Sequence, residues 1–170
     1  PEVVRARQVD GRLEWEATTD ADPILRRRLG LDDDLEAIRD RSLDDDLVAA
    51  AYDAFWGLRI VRDRPFPTLV TFICSAQMRV ARIFAMQQAL RDAYGTPVAF
   101  DGRTYHAYPT PAQLATATEA ELRDLGLGYR APYVEETARM VAEGDADPAD
   151  ARDRDYEAAR EYLTQFVGVG

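Results

Sequence analysis

The spacing of apolar and polar positions predicts one strand pair followed by a series of short helices. Val3 to Val9 and Arg12 to Thr18 alternate in part, and Asp10-Gly11 between them has the chemistry of a type I′ hairpin turn. Two strands do not make a stable sheet alone. Residues 1–19 therefore read as the residual edge of an N-terminal antiparallel β domain, with Pro1 at a cut, and residues 20–170 as a helical domain. From Asp22 the apolar spacing turns helical. Asp22-Pro23 suits an N-cap followed by proline, Ile24, Leu25 and Leu29 form a stripe, and Gly30 ends it. Leu35 to Arg41 is a second short helix. Asp44-Asp45-Asp46 opens a third, with Leu47, Ala50, Ala51, Ala54 and Phe55 as its expected buried face.

Beyond a stretch around Arg59-Ile60-Val61 with extended character, Pro65-Phe66-Pro67 starts a very apolar helix, Thr68 to Cys74. Ser75-Ala76-Gln77 interrupts it. Val80, Ile83, Phe84, Leu90 and Tyr94 then continue on a helical period to Gly95. This polar break places Gln77 and Arg79 at the start of a helix that faces solvent or a ligand; an ordinary N-cap and a surface arginine are the plainer alternative. Thr96 to Pro109 reads as a loop with a short strand pair around Asp101-Gly102. Thr110 to Gln113 and Thr118 to Glu121 are capping boxes that open two helices, the second ending at Leu125. An outgoing helix turns Val134, Ala138 and Val141 inward. An acidic loop, Gly144 to Ala151, leads to a last helix marked by Tyr156, Ala159, Leu163 and Phe166.

The stretch Leu125-Gly126-Leu127-Gly128-Tyr129-Arg130-Ala131-Pro132-Tyr133 joins two of these helices on a pair of glycines. Gly126 suits a left-handed C-terminal cap, and Gly128 allows positive φ or a close approach by another molecule. A flat aromatic beside a planar cation suits a groove of stacked bases, the ring filling a gap and the guanidinium bonding a base edge. A helix corner with its tyrosine in the core is the other reading. On the first, Tyr129 and Arg130 lie exposed at one rim, with Gln77 and Arg82 near enough to share that surface.

Composition narrows the chemistry. The 170 residues are 46% apolar, enough for a real core in one domain. A single cysteine, Cys74, excludes an internal disulfide or a cysteine-built metal cluster, and a single histidine, His106, argues against zinc; no metal and no cofactor is expected. No run suits a transmembrane helix or a signal peptide, so membrane partners are not expected. The 31 acidic residues outnumber 21 basic ones, for a net charge of −10. All the basic residues are arginine, and neither lysine nor asparagine occurs. Such a surface suits high salt, where a Debye length of about 3 Å at molar strength stops global charge from steering partners. Net charge then does not exclude nucleic acid. The acidic triplets Asp32 to Asp34 and Asp44 to Asp46 read as solvated helix starts rather than cation sites.

The series Phe72-Ile73-Cys74-Ser75-Ala76-Gln77, Val80-Ala81-Arg82-Ile83, Thr104-Tyr105-His106-Ala107-Tyr108-Pro109, Leu125 to Tyr133 and the terminal Gly168-Val169-Gly170 resembles the 8-oxoguanine branch of the helix-hairpin-helix DNA glycosylases. The likeness runs from about Asp22 to Gly170. It implies a mainly α fold, a helix-hairpin-helix glycosylase domain ending at the hairpin, with the β-hairpin as an N-terminal remnant. It implies a base-flipping N-glycosylase with AP lyase activity, removing 8-oxoguanine from damaged double-stranded DNA as a cytoplasmic, nucleoid-associated monomer. Tyr129 matches the family's wedge, Arg130 and Arg82 the arginines on the orphaned cytosine, and Gly168 and Gly170 the phosphate-binding glycine turn. Gln77 falls where mammalian-type relatives begin an asparagine run; here it reads Gln77-Met78-Arg79, so the grip on the cytosine differs. The family's nucleophilic lysine and assisting aspartate would fall beyond Gly170, which leaves this chain without catalytic residues and inactive alone. An alkylbase glycosylase of the same fold and a non-catalytic DNA-binding or interaction module are the alternative functions.

Overall fold

The computed structural model describes residues 2–41 and 45–170, so Pro1 and Asp44 of the second acidic triplet lie outside the described residues. It is mainly helical, with two small hairpins. The chain divides into two compact units, one being Val4–Asp63 and the other built on Arg64–Gly170.

In the first unit, β1 (Val4–Val9) pairs antiparallel with β2 (Arg12–Ala17) in the register Val9↔Arg12. Asp10 and Gly11 both take positive φ, 48° and 75°, as a type I′ turn requires. Arg5 and Arg7 pair across the ladder with Glu16 and Glu14. Helix α1 (Asp22–Leu29) begins one residue earlier than the Asp-Pro signal suggests, with Ala21 as N-cap, and ends on left-handed Gly30. Helix α2 (Leu35–Asp40) is capped by Asp34 and α3 (Asp46–Ala54) by Asp45, each carboxylate accepting from backbone N–H groups of the first turn. Asp33 pairs with Arg62, and Asp32 with Arg26. The acidic residues thus serve as caps and ion-pair partners.

The expected buried face of α3 is a correction. No residue of α3 is buried, and Leu47 and Phe55 are 80% and 67% exposed. Among the described residues of this unit no element covers that stripe. Instead Val48, Ala51, Phe55, Trp56, Leu58 and Ile60 line an open apolar groove of about 420 Å³. The extended character expected at Arg59-Ile60-Val61 does not become a strand, because the described ladders place no partner strand beside it.

The second unit holds the main core. Helix α4 (Pro65–Ser75) buries Phe66, Leu69, Val70, Ile73 and Cys74, the i, i+3, i+4, i+7, i+8 positions of one face. Helix α5 (Val80–Tyr94) buries Met86, Gln87 and Leu90, and leaves Val80 and Phe84 exposed. β3 (Pro97–Phe100) and β4 (Arg103–His106) form a second hairpin on Asp101-Gly102, again with two positive φ values. Both capping boxes form: Thr110 with Gln113 opens α6 (Pro111–Leu114), and Thr118 with Glu121 opens α7 (Glu119–Asp124). A 3-10 turn, Gly128–Arg130, leads into α8 (Ala131–Glu143), which packs on α4, α6 and α7. A second 3-10 segment, Pro148–Asp153, precedes α9 (Tyr156–Leu163). Leu114, Leu122, Leu127, Val134, Ala138 and Phe166 complete the core, and Tyr156 at the start of α9 is exposed.

Two outcomes test this account. An alanine Cβ at Gly95 would sit 2.1 Å from the Ala107 carbonyl oxygen and 2.4 Å from that of Arg91, both backbone atoms. Gly95→Ala is expected to lower urea stability by about 1–3 kcal/mol, the usual cost of forced overpacking. The Glu121 carboxyl is held below its usual pKa by the Thr118 N–H and hydroxyl. A lowered folded pKa gives stability that is present above the unfolded carboxylate pKa and lost as pH falls through the folded value. Glu121→Gln should therefore cost stability near neutrality, and the gap to the parent should close in acid titrations followed by circular dichroism.

Candidate nucleic-acid interface

Two turns from distant parts of the chain meet in the second unit. The first follows α4. Ser75 Oγ donates to the Phe72 carbonyl at 2.7 Å, Ala76 leaves the helix, and Gln77 takes φ 52°. Met78 N–H closes the turn on the Ser75 carbonyl at 3.0 Å, and Arg79 is the N-cap of α5. Gln77 is exposed at the tip. A left-handed residue other than glycine costs about 1–2 kcal/mol, and asparagine tolerates that region better than glutamine. Gln77 is thus held in a conformation that its own side chain does not favour.

The second turn is the twin-glycine corner. Gly126 N–H donates to the Arg123 carbonyl at 2.9 Å and Leu127 N–H to the Leu122 carbonyl at 3.2 Å. With Gly126 at φ 88° this is a Schellman closure of α7. Leu127 is fully buried and pins the corner to the core. Gly128, at φ 61°, has open space where a Cβ would be, and Tyr129 follows it.

Sequence reasoning expects Tyr129 and Arg130 to share an exposed rim. Tyr129 does stand out, at 54% exposed, but Arg130 is only 3% exposed. The reason is local. Arg130 Nη2 donates to the Ala76 carbonyl of the first turn, and its Cζ lies 4.2 Å from the Tyr129 ring centroid. A carbonyl oxygen and a ring face replace part of the water around the charge, while the buried Arg130 Nε has no hydrogen-bond partner among the described residues. Arg82, one turn into α5, makes the opposite crossing: its Nη2 donates to the Gly126 carbonyl at 3.1 Å, and the side chain stays exposed. A Cβ at Gly126 would come within 2.6 Å of Arg82 Nη2, so the arginine tip would have to shift, and the positive φ is what requires glycine there.

The terminal glycines join the same neighbourhood. The Tyr129 ring meets Tyr133 edge-on at 6.3 Å between centroids. Tyr133 in turn lies against Gly168, where a Cβ would stand 2.9 Å from its Cδ2. Gly168 takes φ 91°, and Gly168 and Gly170 are exposed. Gln77, Arg82, Tyr129, Arg130 and Gly168 are thus connected through a few side chains, and Gly170 is two residues on. Sequence reasoning reads Gly126 as a cap and misses its second role as the seat of Arg82. It also misses Tyr133 as the backing of Tyr129. The Tyr129 and Tyr133 spacing of four carries that second signal.

The arrangement can intercalate, stack and donate hydrogen bonds. It holds no evident nucleophile. Burial pushes the Cys74 thiol up to about 11, with the nearby Arg130 charge opposing the rise, so it is no thiolate at neutral pH. His106 Nδ1 lies 3.2 Å from the Asp92 carboxylate, on the β4 hairpin. Among the described residues no group of acidic, histidine or cysteine side chains is gathered to hold a metal ion, and no helix is long and apolar enough to cross a membrane.

The helical scaffold thus carries an exposed aromatic on a corner flanked by two arginines, an arrangement whose flat ring and donors suit a groove of stacked bases. The profile of the HhH-GPD superfamily of base excision DNA repair proteins matches residues 70–166, more than half of the sequence, and the chain belongs to that superfamily. An N-glycosylase/DNA lyase of Saccharomyces cerevisiae is 39% identical over 126 residues, which cover 67% of this chain and 34% of that protein. A probable N-glycosylase/DNA lyase of Methanothermobacter thermautotrophicus is 32% identical over 148 residues, covering 75% and 47%. The chain thus spans between a third and a half of the length of these relatives. The crystal structure of Clostridium acetobutylicum 8-oxoguanine glycosylase/lyase, in complex with double-stranded DNA containing cytosine opposite 8-oxoguanine, shares the fold. Its TM-score is 0.89 at 24% identity, over 98% of this chain and 58% of that one.

Replacing Gln77 by asparagine tests the strained turn. Gln77→Asn should raise thermal stability by up to about 1 kcal/mol, part of the left-handed cost, measured by calorimetry.

Proposed function

We propose that this chain is the damage-reading part of an 8-oxoguanine DNA N-glycosylase with AP lyase activity, working in base excision repair on duplex DNA. The observation that carries this reading is Tyr129, half exposed on a corner pinned by Leu127 and flanked by two arginines. The names of the relatives support the same chemistry. In this reading Tyr129 enters the stack beside the lesion and offsets part of the few kcal/mol that unstacking a base costs. Arg82 and Gln77 face the abandoned cytosine, whose acceptor atoms suit a guanidinium. The N–H groups around Gly168 and Gly170 bind a backbone phosphate. The protein acts as a monomer on nucleoid DNA.

The chemistry needs an amine. Its nitrogen attacks C1′ of the damaged nucleoside, the base leaves with the bonding pair, and the resulting imine permits strand release by elimination. No lysine occurs among these 170 residues, and an arginine guanidinium stays protonated and is not nucleophilic near neutral pH. In a complete enzyme the amine therefore comes from a residue outside these positions.

Borohydride trapping tests the assignment. On a duplex carrying 8-oxoguanine opposite cytosine, the chain with its Pro1 amine blocked should bind without forming an adduct. A parent protein carrying a lysine beyond the glycine turn should be trapped. A parent that releases the base but is never trapped would fit the alkylbase-glycosylase chemistry instead. Tyr129→Ala should weaken binding to the lesion duplex by about tenfold, in line with the 1–3 kcal/mol of one aromatic–base stack, by fluorescence anisotropy.

A further inference from the structure

The three segments of the candidate interface lie in the parts of the chain that carry no carboxylates. Among 170 residues with 31 acidic ones, no aspartate or glutamate occurs between Asp63 and Asp92, between Asp124 and Glu135, or after Glu161. The first gap holds the turn at residues 75–79, the second the twin-glycine corner, and the third Gly168 and Gly170. Arginines of the second unit divide accordingly. Arg123, Arg139 and Arg160 pair with carboxylates, Arg91 and Arg154 lie over the rings of Tyr108 and Tyr162, and Arg82 and Arg130 bond carbonyls. Arg79 does none of these. It is exposed, its side chain caps no backbone group, and among the described residues its guanidinium has no hydrogen-bond, ion-pair or ring partner.

We propose that Arg79 binds a backbone phosphate of the strand opposite the lesion, an electrostatic attachment beside the residues that read the orphaned base. The inference rests on the reading above, in which the first turn faces DNA. Local structure places Arg79 for this role. Met78 packs against the core, and its N–H closes the turn on the Ser75 carbonyl, so its exposed neighbours Gln77 and Arg79 flank a fixed point. Arg79 caps α5 with extended backbone, φ −75° and ψ 143°, three residues before Arg82. Residues three apart lie on one side of a helix turn, so Arg79 stands alongside the arginine that reaches the twin-glycine corner. Its freedom selects the ligand. A base edge is read through a fork held at a fixed angle, whereas a phosphate offers several oxygens to a charge on a mobile stem. No protein ion pair has to break for Arg79 to bind. With a net charge of −10, the chain can meet a polyanion only through a face such as this one, where carboxylates are lacking and arginines remain.

The test uses the 170-residue chain and duplexes with a tetrahydrofuran abasic-site analogue opposite cytosine or adenine, with an undamaged duplex beside them. Fluorescence anisotropy gives affinity across a series of potassium chloride concentrations. Each phosphate neutralised by a protein cation contributes about 0.9 to the steepness of log affinity against log salt. Arg79→Gln should therefore make that slope shallower by about 1. Between about 0.1 and 1 M salt the parent should lose about eightfold more affinity than the variant, equally for both opposite bases. Arg79→Lys should keep the slope. Arg79 is exposed and unbonded, so both variants keep the fold. Single methylphosphonates, each neutralising one phosphate, then locate the contact. At one position opposite the lesion the parent should fall to the affinity of Arg79→Gln, and the variant should lose nothing further. An unchanged slope in Arg79→Gln, a loss confined to the cytosine duplex, or a coupled phosphate on the lesion strand would overturn the proposal. A parent that binds all three duplexes alike would remove the damage-reading assignment, and the slope would still judge Arg79. A parent that binds none of them would overturn both.

Discussion

A guanidinium removed from water must find acceptors inside the protein, and this requirement organises the site. Arg130 finds a backbone carbonyl 54 residues away in sequence and the face of its neighbour's ring. Both exist only if α4 and α8 are packed against each other, because Ala76 ends one and Arg130 begins the other. The core beneath them supplies that packing, with Val70, Ile73 and Cys74 on α4 and Ala131, Val134 and Ala138 on α8 all removed from solvent. The aromatic that stands out from the surface is thus held from below by ordinary apolar burial and from the side by a guanidinium that is bonded at Nη2 while its buried Nε has no partner among the described residues. Removing the guanidinium would take away one hydrogen bond to the first turn and one face of support for the ring.

Surface chemistry pulls the other way. A net charge of −10 repels a polyanion at low salt. The described acidic residues are largely occupied locally, as helix caps at Asp34, Asp45, Asp147 and Asp155 and as partners of arginines such as Arg139, which bonds Glu136 and Glu143. Arg82, in contrast, has a carbonyl partner, so its charge is not cancelled by a carboxylate. A local field can therefore differ in sign from the whole. At high ionic strength, with screening over a few ångströms, only that local field would reach a polyanion placed against this face.

Much of the fold could be read from the sequence because its signals are local. Asp10-Gly11 and Asp101-Gly102 each demand two positive φ values, and each makes a hairpin. Thr110 with Gln113, and Thr118 with Glu121, satisfy each other's backbone groups within four residues. The apolar period of α4 names its buried face. Where the same kind of reasoning fails, the deciding contact is missing or distant. The apolar stripe of α3 looks like a core face, but the described residues of its own unit do not cover it, so Leu47 and Phe55 are exposed. Periodicity reports that a face is apolar, not that a partner exists.

The sequence by itself determined which side chains are available: a tyrosine and an arginine after twin glycines, a second arginine and an amide after a polar break, and no lysine anywhere. It also determined the Schellman corner that presents them, since that closure uses only residues 122 to 127. Only the tertiary structure decided which arginine is exposed. Arg82 and Arg130 are chemically identical and both follow a turn, so no local pattern separates them. The difference arises because Ala76 and the Tyr129 ring come together over Arg130 and bury it, while the Gly126 carbonyl touches Arg82 from one side and leaves it open. Burial depends on what long-range packing places around a side chain, and that information is shared among residues far apart in the chain.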